Sequence, residues 1–228
     1  MNDFRTQFPD KILFCVITAL LAFGCKKSGE PFSGPPNDLK RYPYERLHVS
    51  YEYSGDVRGT EDLFVSGYGK YEIRQSKFDI FTPKEVHSSN TGTITRFADI
   101  FTMDFSQMRA IHDHPRFLDS LYHLEGNDIP SPQEYMETDL KRNYFKNTGI
   151  DIIAGKPTTR WEQIDGNLTL WIWNGLLIRK HANSENGSLD MTIKNIDTLW
   201  VVDTTKFIVP AGFTVIEAEK LKHAPDAN

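Results

Sequence analysis

Three turn dipeptides stand in a row in the C-terminal half of the chain: Asp165-Gly166, Asn174-Gly175 and Asn186-Gly187. Asp-Gly and Asn-Gly supply the positive φ angles of two-residue hairpin turns, and next to alternating residues they are the strongest short-range hairpin signal. The spacing predicts an antiparallel meander with strands over Thr158–Ile164, Asn167–Trp173, Leu176–Asn183 and Ser188–Ile196. Counting outward from each turn gives a register. Trp173 falls opposite Leu176 and Trp171 opposite Ile178; Ile178 then faces Asn195, Lys180 faces Ile193 and Ala182 faces Met191. Cross-strand partners share a face, so one face is expected to carry Ile164, Trp171, Trp173, Leu176, Ile178, Met191 and Ile193. The other carries Trp161, Leu168, Leu170, Ile172, Leu177 and Ile196, diluted by polar residues.

A sheet covered on one side only should alternate cleanly between apolar and polar. Here the second face is half apolar, so it needs extra cover. The one convincing helix signal supplies it. Ser131 is a good N-cap, Pro132 suits the first helical position, Glu134 stands in the capping-box relation, and Met136, Leu140 and Tyr144 follow at four-residue spacing, with Asn147 to Gly149 closing the helix. In the first half, "ERLHVSYEYSG" reads as a strand ending at Gly55. "TEDLFVSGYGKYEIRQ" reads as a hairpin around Gly67 and Gly69, and "GTITRFADIFTMDFSQM" as a further strand pair. Ala110 to Pro130 reads as a loop. The fold class expected is mainly β with one principal helix (α+β), a curled antiparallel half-barrel of about eight to ten strands.

The N-terminus is of a different character. Ile12 to Phe23, "ILFCVITALLAF", is too short for a bilayer span, which needs about 20 helical residues, but fits the apolar core of a secretory signal. "LAFGC" resembles the lipobox of bacterial lipoproteins, which implies cleavage before Cys25 and acylation of that cysteine. The alternatives are an ordinary secretory signal with a chance cysteine, or an uncleaved anchor. The chain has two cysteines, Cys15 within the signal and Cys25 at its end, so no disulfide framework is expected. Residues 26–40, "KKSGEPFSGPPNDLK", have the composition of a tether, which as a coil would span roughly 20 Å. The expected organisation is signal peptide 1–24, lipidated cysteine and tether 25–40, one domain 41–223 and a tail 224–228. The expected location is the cell envelope, lipid-anchored, at the outer membrane facing the periplasm.

A formal net charge of -5 without a basic stripe argues against nucleic acid as a partner. No G-x-S-x-G elbow, HExxH, P-loop or dinucleotide fingerprint occurs, so the chain reads as no enzyme and no cofactor is implied. "IHDHP" places His112 and His114 around Asp113, with His123 nearby; zinc needs three or four ligands held in geometry, and these histidines read as a solvated loop. No metal site is expected.

A set of motifs runs through the chain: "G-x-x-x-G-T-E-x-L" from Gly55 to Leu63, "G-Y-G-K-Y-E" from Gly67 to Glu72, "F-T-M-D" from Phe101 to Asp104, "A-G-K-P-T-T-R-W-E" from Ala154 to Glu162, and "L-W-I-W-N-G-L-L-I". Together with the lipobox, these resemble a family of bacterial envelope lipoproteins similar to the lipoprotein-localisation carriers (LolA/LolB-like). That resemblance implies a half-barrel closed by helices around a cavity for acyl chains. It leads to an envelope lipoprotein that binds a lipid or acyl chain between sheet and helix. The residues expected to line such a cavity are Trp171, Trp173, Leu176, Ile178, Met191, Ile193, Met136 and Leu140. For the two tryptophans, packed core is the competing role. The alternative function is an interaction module of an envelope complex with a filled core and no ligand.

Overall fold

The computed structural model describes residues 37–184 and 187–219. The signal, Cys25, most of the tether and the tail at 224–228 lie outside the described residues. Twelve strands form one open sheet: β1 (Arg46–Gly55), β2 (Val57–Ser66), β3 (Tyr71–Phe81), β4 (Val86–Arg96), β5 (Asp99–Asp104), β6 (Arg109–Asp113), β7 (Phe145–Ile153), β8 (Lys156–Gln163), β9 (Leu168–Trp173), β10 (Leu176–Ser184), β11 (Gly187–Asp197) and β12 (Thr214–Glu217). Two α-helices, α1 (Arg116–Leu121) and α2 (Pro132–Arg142), stand between β6 and β7. The spatial order is β12-β6-β5-β4-β3-β2-β1-β11-β10-β9-β8-β7.

Twelve strands exceed the eight to ten expected, and the extra ones explain why. β6 and α1 lie inside the stretch that reads as a loop. β7 is hidden in the sequence because Asn147 and Gly149, which read as a helix stop, sit instead at a bulge of that strand, with the Gly149 N–H donating to Asn147 Oδ1 at 3.0 Å. β12 pairs parallel to β6 across about a hundred residues, a long-range pairing with no local sequence mark. Helix α2 begins as its sequence dictates: Ser131 Oγ accepts from the Glu134 N–H, Glu134 accepts from the Ser131 N–H at 2.8 Å, and Pro132 opens the first turn. It ends earlier than expected, capped by Asn143, with Tyr144 at φ 63 turning the chain into β7.

Both helices lie on one face of the sheet. Leu140 and Met136 of α2 pack on Trp161, Leu168, Leu170 and Ile172 of β8 and β9, while Leu118 of α1 packs with Leu39, Ala98, Ile100 and Tyr122. By register, these strand residues share the inner face with Tyr51 and Tyr53 of β1 and with Lys180 and Met191. The sheet is open, with β12 and β7 at its edges. The Tyr51 hydroxyl reaches past β11 to donate to the Leu177 carbonyl of β10 at 3.1 Å. On the outer face, Trp200, Val202, Phe207, Val209 and Phe213 cover Phe64, Ile73, Ile94, Phe101, Met103 and Ala110 of β2 to β6. Among the described residues no such strap covers the outer face of β7 to β11, which carries ion pairs such as Arg179–Asp190 and Arg160–Glu162.

Candidate functional site

The two helices do not close completely on each other. Between them lies a half-open cavity of about 200 Å³, with Phe117 and Leu121 of α1 and Tyr135 and Thr138 of α2 as walls. Leu124, Asp128 and Pro130 of the connecting loop complete it. The lining is mainly apolar. An apolar cavity of about 150 Å³ can hold a benzene-sized guest, and drug-sized ligands occupy about 300–1,000 Å³. This one therefore suits the end of an alkyl chain or a single ring rather than a whole lipid. One wall is stiffened from outside by the Arg142 guanidinium, 4.0 Å over the Phe117 ring.

Behind Tyr135 the inner face becomes ionic. Arg41 donates to the Gly69 carbonyl and pairs with Glu72 at 3.2 Å; Arg74 bridges Glu72 and Glu61, each at 3.0 Å. Tyr42 donates to Glu72 at 2.9 Å, and Tyr53 and Ser76 donate to Glu61 at 2.7 and 2.8 Å. Every carboxylate oxygen thus has a donor. Burial alone would raise the Glu72 carboxyl, but Arg41 and Arg74 outweigh it and hold it below the usual range. Lys180 lies on the same face, its ammonium brought down to about 8 by burial against a smaller opposing pull from Glu61. Arg74 keeps 26 % of its side chain accessible, so solvent reaches the edge of this network. Gly69 is required here: its φ is +98°, and a Cβ would lie 2.8 Å from the Tyr42 ring and 2.9 Å from Arg41 Cβ.

At the rim beside α1, imidazoles and carboxylates alternate. His112 meets Glu217 through Nδ1 at 2.9 Å and Asp99 through Nε2 at 3.0 Å. His114 meets Asp99 through Nδ1 at 3.0 Å and Asp119 of α1 through Nε2 at 3.3 Å, and His123 meets Asp119 at 3.6 Å. The "IHDHP" stretch is therefore not a solvated loop. His112 belongs to β6 and stacks on Phe101 with ring centroids 4.5 Å apart. Among the described residues no three His, Cys, Asp or Glu side chains are placed to hold a metal ion.

The residues expected to form one cavity wall are divided by a single bulge. The Asn174-Gly175 turn forms as read, with φ 47° and 74°, and sets Trp173 opposite Leu176. The register then shifts between Leu177 and Arg179, so Trp171 faces Arg179 instead of Ile178. One extra residue sends everything beyond it to the opposite face. Trp171 consequently lies on the outer face, donating to Asp151 at 2.7 Å beneath the Arg179 guanidinium, and Trp173 lies under Lys156. Ile178, Met191 and Ile193 turn inward. Leu176, Ile178 and Met191 are packed core, 1, 0 and 2 % exposed, in a cluster that Ile193 and Trp173 flank. Between β10 and β11 the pairing is displaced by two residues, with Lys180 facing Met191 rather than Ile193; an even shift keeps the faces. Met136 and Leu140 pack in the separate cluster under α2. Ile164, placed on the apolar face by the turn count, is exposed.

Residues missed in the sequence include both helix walls of the cavity and the ionic network. A signal for the network was present: Glu61 and Glu72 are the glutamates of "G-T-E-x-L" and "G-Y-G-K-Y-E". Their partner Arg41 stands about thirty residues away from Glu72, beyond local pattern.

No family model and no curated protein matches this chain. Solved structures do. An uncharacterized conserved protein from Thermus thermophilus matches with a TM-score of 0.47 at 6% identity, over 79% of this chain and 94% of that one. LprF from Mycobacterium bovis matches with a TM-score of 0.32 at 13% identity, over 74% and 97%. The Mycobacterium tuberculosis lipoprotein LppX matches with a TM-score of 0.28 at 12% identity, over 71% and 91%. Likenesses of this size decide neither fold nor function.

Proposed function

We propose that this chain is a non-enzymatic lipoprotein of the bacterial envelope, anchored through Cys25 in the outer membrane and facing the periplasm, which takes an acyl chain end or a similar apolar group between α1 and α2. The observation that carries this reading is the apolar cavity bounded by Phe117, Leu121, Leu124 and Tyr135 on the helix-covered face. Its size restricts the guest to part of a lipid, with the remainder outside. The test is native mass spectrometry of a chain in which residues 1–25 are replaced by a cleavable secretory signal without a lipobox, purified from the periplasm without detergent. An added mass in the lipid range is expected, lost in Leu121→Trp, whose indole would fill the cavity; bare mass in both overturns the reading.

An interaction module with a filled core is the second reading. It is favoured by the solid packing at Leu176, Ile178 and Met191 and by the aromatic and charged outer face around Trp171. Bare mass in both chains would leave this one standing. Metabolic labelling with palmitate checks the anchor: Cys25→Ser should abolish it, and persistent label would rule the lipobox out.

A further inference from the structure

The path by which the chain enters the domain gives the cavity a direction. At Asn37 the backbone N–H donates to the Tyr122 carbonyl at 2.7 Å. The side-chain amide of the same residue donates to the Leu121 and Leu124 carbonyls at 2.9 and 2.8 Å, while its oxygen accepts from the Leu39 N–H. Leu39 is fully buried beside Leu118 and Tyr122. Leu121 and Leu124 line the cavity. The N-terminal segment is therefore fastened by three hydrogen bonds at and just after the C-terminal end of α1, two of them to the cavity-wall residues Leu121 and Leu124.

Cys25 stands twelve positions before Asn37. Whatever its conformation, the intervening chain spans at most roughly 40 Å, the reach of a fully extended backbone. β3 starts beside this entry point, since Lys70 pairs with Asp38, and runs 11 residues away from it. At about 3.3 Å per residue its far end, the Thr82–Glu85 turn, lies some 35 Å off. Placing that far end against the anchoring membrane would require an almost fully stretched tether, at a large loss of chain entropy. Placing the α1 end there requires none.

We infer that the α1–α2 end of the domain, where Leu121 and Leu124 line the cavity, is its docking surface for a lipid bilayer, the one in which Cys25 is anchored. This rests on lipidation of Cys25. The partner is a lipid surface, and the cavity is the place where an acyl chain leaving that surface would first meet the protein.

Cys25 is the last cysteine in the sequence and its thiol is consumed by the anchor, so an introduced cysteine can be labelled alone. The full lipidated chain would be reconstituted in phosphatidylcholine vesicles containing a nitroxide-labelled lipid, with a fluorophore on Asn127→Cys in the α1–α2 loop or on Lys84→Cys at the β3–β4 turn. Both positions are exposed. Quenching at position 127 is expected to exceed that at 84 several-fold. Asn37→Ala, which removes the two side-chain bonds to Leu121 and Leu124, should narrow that difference. Equal quenching, or stronger quenching at 84, in a chain that co-floats with the vesicles overturns the orientation alone. A chain that fails to co-float removes the anchor and the orientation with it.

Discussion

Two groups of charged residues, one on the helix-covered face and one at the rim, tie parts of this protein together, and they are built on opposite terms. Around Arg41 and Arg74 the charges are buried and saturated with donors. Around His114 they are at the surface and depend on proton count. A neutral imidazole has one N–H, and both nitrogens of each ring face carboxylates. Only the doubly protonated rings satisfy every contact. In the buried group Glu72, its carboxyl held low by two arginines, ties the entering chain to β3, whereas at the rim His114 ties β5 to α1 more firmly when its ring is protonated. A cluster that must persist uses arginine, and one that can loosen uses histidine.

The largest effect expected comes from breaking the buried group. Glu72→Gln leaves Arg41 and Arg74 sharing a buried neutral amide, and removing one partner of a buried ion pair costs about 3–5 kcal/mol. Denaturant unfolding should show a loss in that range that is nearly the same at pH 5 and pH 8. A loss below about 1 kcal/mol, the size of an exposed pair, would mean that solvent at the edge of the network screens these charges.

Asp139 sharpens the contrast, because burial governs its carboxyl more than the cations near it do. Burial raises its carboxyl to about 6, with Arg142 and Arg41 offsetting this only in part. A raised carboxyl contributes stability that is complete below the ordinary value of 3.8 and is lost as pH rises through about 6. Asp139→Asn should therefore gain about 1–2 kcal/mol at pH 8 relative to the native chain and nothing near pH 3.5, read from unfolding midpoints across pH. An equal change at both pH values would assign the effect to the hydrogen bond from Asn143 instead.

The rim group should give less, about 1 kcal/mol or below, because its members are substantially exposed. Partial burial would raise the Asp99 carboxyl, but hydrogen bonds from His114 and His112 hold it down. Partial burial would lower His114, but the hydrogen bond to Asp99 and the charges of Asp99 and Asp119 raise it. The Asp99 contribution is present above 3.8 and lost as pH falls through the lowered value; that of His114 is complete below 6.5 and lost as pH rises through the raised one. Stability from this cluster peaks between those limits. His114→Gln should flatten the decline above pH 6.5, and an unchanged slope would show that the cluster is not linked to folding.

How much of this is legible in the sequence follows the range of each interaction. The Asn174-Gly175 turn, the Ser131 capping box and the C-terminal strands are local, and they read almost to the residue. Helix α2 covers the half-apolar face of β8 and β9, as the lack of clean alternation implies. α1 escapes because six residues after Pro115 are too few to show a helical period. The cavity escapes with it, since one wall is α1. Turn counting puts Trp171 on the wrong face by one residue of bulge at β10, which has no signature in "NGLLIRK".

That bulge can be tested at the residue whose role it reverses. Trp171 on a packed face would make truncation cost about 3–5 kcal/mol. On the outer face its ring packs under Arg179 and its N–H meets Asp151, a surface arrangement of the rim kind rather than the buried kind. Trp171→Phe keeps the ring beneath the guanidinium and removes only the hydrogen bond, so the expected loss is about 0.5–1 kcal/mol. Asp151→Asn should remove most of the same increment, and the double variant should lose little more than either alone, because both delete one contact. Fully additive losses would show that the pair is not coupled, and a loss of several kcal/mol in Trp171→Phe would put the indole back in the core.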